Sequence, residues 1–262
     1  MKRVIGLLLV LALSTTSISA QADTASKKNL PAVNDPGWGT RGGASVLLIE
    51  TQSPVSGSIG LALTQLGVPY DFFVGDDFSA LNLAPYLHVI VGMDGGLIEN
   101  SSILNARNYV AAGGFLHFYG GSCWDPYAAA LNTHLLQNNI VDFCWTIVSG
   151  SPDVTITDAG NYLAAGLPGT YNFLDDAASF YQTRSTDGAT NVAAVNGDGY
   201  DALMWKSIGS GRFDICINSP YEGYYFNQTD FDWLKTVLIN MLGLRTTAVE
   251  PATWGAVKAN FQ

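Results

Sequence analysis

The sequence predicts an α/β fold: a doubly wound, mostly parallel sheet with helices on both faces. Three observations predict it. First, short apolar runs such as Val46-Leu47-Leu48-Ile49 and Val89-Ile90-Val91 suit strands buried on both faces. Second, stretches of helical periodicity lie between those runs and end at glycines. Third, the connections are short, so strand and helix alternate through the first half. Right-handed crossovers then put helices on both faces and open a crevice at the C-terminal ends of the strands.

The first 22 residues have the layout of an export signal. Met1-Lys2-Arg3 is basic, residues 4–13 are apolar, and Ala20-Gln21-Ala22 is an A-x-A cleavage pattern. The apolar run is shorter than the roughly 20 residues that span a bilayer. Cleavage after Ala22 is expected, leaving no membrane span and placing the chain in the periplasm, at the cell surface or outside the cell. Residues 23–43 form a leader segment broken by Pro31, Pro36 and the glycines around Trp38.

The domain proper covers residues 44–243. Residues 45–50 read as a strand. Residues 58–66 read as a helix with Ile59, Leu63 and Leu66 on one face, stopped by Gly67. Strands follow at 69–74 and 86–91, then a helix at 101–112, a strand at 115–119 and a helix at 126–136. The second half is looser, with short strands expected at 154–157, 177–181, 191–195, 202–205 and 212–218. The sequence Asn196-Gly197-Asp198-Gly199 reads as a turn. The last helix, 230–242, carries Phe231, Leu234, Val237, Leu238 and Met241 as one apolar stripe. A tail, 244–262, is set apart by Pro251.

Composition narrows the partners. The formal net charge is −10, and loss of Lys2 and Arg3 makes it more negative. Such a surface repels phosphate backbones, so nucleic acid is not an expected partner. No cofactor signature and no CxxC or HxxxH spacing is present, so neither a cofactor nor a metal is expected. Three cysteines in an exported chain permit one disulfide. Cys123–Cys144 is the preferred pair, because both are placed at the ends of consecutive strands on one side of the sheet.

Chemistry concentrates at Gly113-Gly114-Phe115-Leu116-His117-Phe118-Tyr119-Gly120-Gly121-Ser122-Cys123-Trp124, a buried strand running into a tight glycine turn. With Tyr86 to Gly96, with Asp158 to Pro168, and with Gly209-Ser210-Gly211-Arg212-Phe213-Asp214-Ile215, this stretch resembles the class I glutamine amidotransferase-like superfamily, in particular its secreted, ThuA-like branch. The resemblance covers roughly residues 44–243 and implies a flavodoxin-like sheet. Catalytic members place a cysteine in a G-x-C-x-G elbow and a histidine late in the chain. Here Tyr119 falls in the nucleophile slot, Cys123 lacks the flanking glycines, and the histidines are His88, His117 and His134. A thiolate needs a base or a positive field beside it.

The candidate catalytic residues are therefore Asp94, His117, Tyr119, Cys123 and Asp125. The aspartates could do acid–base work on a sugar at the crevice mouth. His117 reads as a hydrogen-bonded core histidine, with a crevice role as the competing reading. Trp124, Tyr221, Tyr224 and Tyr225 offer flat rings for stacking on carbohydrate. The expected function is a secreted, non-catalytic binding or surface-associated module for carbohydrate or an extracellular protein. The alternative is a ThuA-like or glycoside-directed hydrolase that uses crevice carboxylates.

Overall fold

The computed structural model describes residues 45–51, 58–94, 98–121, 133–135, 137–138, 140, 142–148, 153–173, 179–184, 188–195, 200–216, 218–219 and 228–244. Its first half follows the expected alternation. Strand β1 (Val46–Glu50) leads to helix α1 (Ser58–Gln65) and strand β2 (Tyr70–Val74). Strand β3 (His88–Asp94), helix α2 (Asn100–Ala111) and strand β4 (Phe115–Gly121) follow. These four strands pair in parallel, in the order β2-β1-β3-β4.

Both faces of this parallel part are covered. On α1, Ile59, Ala62 and Leu63 are buried, and Ile59 fills the space above Gly92 that a side chain there would occupy. On α2, Ile103, Ala106, Tyr109 and Val110 are buried on the opposite face, with the Tyr109 ring lying where a side chain at position 114 would project. The last helix, α3 (Gln228–Met241), buries its predicted stripe of Phe231, Leu234, Val237, Leu238 and Met241 and packs beside α1. Gly67 and Gly113 take positive φ where α1 and α2 turn back towards the sheet, as their sequence positions require.

The second half corrects the expectation of a mostly parallel, doubly wound sheet. Its strands are β5 (Asp142–Val148), β6 (Asp153–Ile156), β7 (Thr170–Asn172), β8 (Ser179–Arg184), β9 (Thr190–Val195), β10 (Tyr200–Ile208), β11 (Gly211–Cys216) and β12 (Asn218–Ser219). The large sheet has nine described strands, in the order β2-β1-β3-β4-β11-β10-β9-β6-β7. Strand β11 joins β4 in parallel, but every pairing beyond it is antiparallel. The sheet is therefore mixed. The cause is local: β10 and β11 are joined through Gly209 and Ser210, and a link that short reverses the chain instead of crossing over it. Gly209 has a φ of 60° and lies against the Ala111 backbone, a place for glycine. A second sheet, in the order β12-β8-β5, is antiparallel. Among the described residues no helix is long and apolar enough to cross a membrane.

Candidate functional site

Parallel pairing decides which side chains share a face. His117 on β4 lies opposite Ile90 on β3 and Asp214 on β11, and Phe115 lies opposite His88 and Arg212. Alternation along each strand then directs His88, His117, Arg212 and Asp214 to one face, the face that α3 covers. The intervening Leu116 and Phe213 are buried in the hydrophobic core on the other face.

These polar residues form one connected chain inside the protein. Asp214, 0% exposed, accepts hydrogen bonds from His117 Nδ1 at 2.9 Å and from the Tyr162 hydroxyl at 2.6 Å. Its Oδ1 lies 3.0 Å from Arg212 Nε. The other ring nitrogen of His117, Nε2, is 3.0 Å from His88 Nδ1. Tyr162 begins a short 3-10 turn (Tyr162–Ala164), whose start Asn161 caps by accepting from the Leu163 amide. Arg212 lies between the rings of Tyr162 and Phe115, at 4.3 and 4.9 Å, and donates through Nη2 to the Met241 carbonyl at the end of α3. His88 stacks on Phe115 and His117, each at 5.2 Å.

The electrostatics follow from burial. An isolated ion here would cost several kcal/mol, so Asp214 and Arg212 survive as a pair, with further hydrogen bonds to Asp214 from His117 and Tyr162 and from Arg212 to the Met241 carbonyl. Burial, then the positive charges around His117 and Arg212, pushes the His88 imidazole down to about 3, and Asp214 opposes that shift. Burial and the Asp214 carboxylate raise the Tyr162 hydroxyl far above the ordinary tyrosine range, so it stays a donor. His117 is 0% exposed, His88 8% and the Arg212 side chain 22%. The arrangement holds protons in fixed places and ties three strands, a turn and a helix together.

The other sequence candidates are spread differently. Tyr119 is two residues beyond His117 on the same face, buried, and in register with Gly92 and Cys216 at the C-terminal ends of the strands. Glu50, also buried, ends β1 opposite Gly92. The backbone of Asp94 pairs with Gly121 at the mouth of the expected crevice. Cys144 falls on β5. Cys123, Trp124, Asp125, Tyr221, Tyr224 and Tyr225, and with them the Cys123–Cys144 pairing, lie outside the described residues. His134 accepts from or donates to no strand of the network; its Nδ1 is 2.9 Å from the Ile98 carbonyl.

Arg212, Asp214 and Tyr162 were not singled out by the sequence reading. Their signal was present in Gly211-Arg212-Phe213-Asp214-Ile215-Cys216, where two charges alternate with apolar residues in an otherwise buried run. Charges on one face of a central strand require partners on the same face of its neighbours, and His117 was the matching group.

No family model matches the chain, and no curated protein matches its sequence. Its fold does match solved structures. A putative ThuA-like protein from Bacteroides uniformis superposes with a TM-score of 0.54 at 13% identity, over 75% of this chain and 89% of that one. The chain shares its fold with that protein. A cytoplasmic protein from Salmonella typhimurium gives a TM-score of 0.59 at 16% identity, over 76% of this chain and 98% of that one. The β-galactosidase from Bacillus circulans sp. alkalophilus gives 0.55 at 15% identity over 77% of this chain, which spans 31% of the enzyme. At such identities the likeness concerns the fold alone and carries no activity with it.

Proposed function

We propose that this protein is an exported, non-catalytic, amidotransferase-like module that binds carbohydrate at the C-terminal edge of its parallel strands. One observation carries the reading: His117, the histidine nearest Gly120-Gly121 in sequence, is sealed in the core and bonded through both ring nitrogens. A base so engaged has no lone pair to offer a nucleophile there. Support for carbohydrate comes from the aromatic residues Trp124, Tyr221, Tyr224 and Tyr225, which follow β4 and β12 in the sequence. The fold's occurrence within a β-galactosidase agrees with it.

The test is a glycan-array screen of the purified protein, followed by calorimetry on any hit and a glycoside-hydrolysis assay on the same compounds. Binding without turnover, weakened at least tenfold in Trp124→Ala or Tyr224→Ala, is the expected result. Turnover that disappears in Asp94→Asn and Asp125→Asn would replace this reading with a glycoside-directed hydrolase. Binding to an extracellular protein and to no glycan would replace carbohydrate with a protein ligand.

A further inference from the structure

The buried polar chain has a proton count that its geometry limits. Asp214 is a carboxylate that only accepts, so His117 must carry a proton on Nδ1. The 3.0 Å contact between His117 Nε2 and His88 Nδ1 then holds a single proton. Two arrangements satisfy it. Either His88 donates to a neutral His117, or a protonated His117 donates to a His88 that carries its own proton on Nε2. When both imidazoles are cations, two N–H groups face each other across the contact and the bond cannot form.

We infer that the His88–His117–Asp214 chain is an acid-sensitive latch, closed by one shared proton between the imidazoles and opened when a second makes both of them cations.

The surroundings make the second proton costly. Beside the two imidazoles, β11 supplies Arg212 and Asp214, and the 3-10 turn supplies Tyr162, whose hydroxyl is a donor. Helix α3 supplies the Met241 carbonyl, which Arg212 takes. Strand β1 places apolar Val46 opposite His88, and β10 places Trp205 opposite Asp214. One carboxylate thus faces one guanidinium and two imidazoles, so a first added proton gives the cluster a net positive charge and a second doubles it. Burial accounts for the low proton affinity of His88, held at about 3 against an ordinary 6.5.

The direction of the pH effect follows. Because His88 binds its proton more weakly folded than unfolded, its stabilising contribution is complete above pH 6.5 and drains away as the pH falls towards about 3. The latch joins the beginnings of β3, β4 and β11 to the Tyr162 turn and the end of α3. Opening loosens that end of the sheet and disturbs Trp205, which meets the Tyr162 ring edge-on at 6.1 Å.

The test compares the full chain with His88→Phe, which keeps a flat ring against Phe115 but cannot take a proton. Urea unfolding is measured from pH 6 to pH 4. Between those limits the wild-type unfolding constant should rise about tenfold more per pH unit than that of the variant, the signature of one extra proton taken up on unfolding. Parallel pH profiles for the two proteins would overturn the inference. If His88→Phe does not fold, imidazole NMR of the wild type decides. His88 remaining neutral at pH 5 supports the latch, and His88 titrating near 6.5 with an unchanged Trp205 environment refutes it.

Discussion

Removing the carboxylate of Asp214 is the most direct trial of how the buried chain works. Asp214→Ala takes the acceptor from the His117 Nδ1–H, the Tyr162 hydroxyl and Arg212 Nε at once, in a site with 0% exposure. A hydrogen bond to a charged group nets about 1.5–3 kcal/mol, but three that share one acceptor do not add. Arg212 is the least penalised of the three donors, since its side chain is 22% exposed and keeps the Met241 carbonyl. His117, 0% exposed, has no such outlet. The expected loss is therefore about 3–5 kcal/mol, the range found when one member of a buried ion pair is removed. That is a large part of a typical stability of about 5–15 kcal/mol. Urea unfolding at pH 7.5, followed by tryptophan fluorescence, should show the midpoint falling by about 1 M or more with an unchanged slope. Asp214→Asn, which retains one acceptor oxygen, should fall between. A loss below about 1 kcal/mol for Asp214→Ala, the range of an exposed ion pair, would refute the claim that this carboxylate organises the core.

Other consequences can be checked with similar means. Tyr162→Phe keeps the ring over Arg212 and loses only the hydroxyl that donates to Asp214, so its cost should be about 1.5–3 kcal/mol by the same urea assay. In Gly211→Ala the new methyl group collides with the Val110 and Gly114 carbonyl oxygens, both backbone, and should cost about 1–3 kcal/mol or more. Gly243→Ala meets open space and bears only the cost of its φ of 63°, about 1–2 kcal/mol, so the ranking of the two glycines is itself the readout. N-terminal sequencing of exported protein should begin at Asp23, and retention of residues 1–22 would remove the export assignment. A non-reducing digest of the same material should contain a peptide joining Cys123 to Cys144, whereas a bridge involving Cys216 would rule that pairing out.

The parallel half of the molecule was legible because its signals are local. Val46 to Glu50, Phe115 to Tyr119 and the stripe on α3 each bury what their periodicity said they would, and Gly67 and Gly113 close helices at positive φ. The antiparallel half was harder. The sequence predicts strands at 202–205 and 212–218, where β10 and β11 lie, but pairing direction depends on the link between them. Gly209-Ser210 could have been recognised as a reversal, whereas the place of β11 beside β4 depends on contacts across some 95 positions of sequence, which no window detects.

From residue order alone follow the kind of secondary structure and the α/β class, which come from short-range periodicity and backbone sterics, whereas the turn expected at Gly120-Gly121 is not there, because both glycines pair with β3 as the end of β4. The partnership of His117 with Asp214, 97 residues away, and with His88, 29 residues away, came from folding. Register across parallel strands set those side chains on one buried face, where Arg212 and Tyr162 also bond to Asp214.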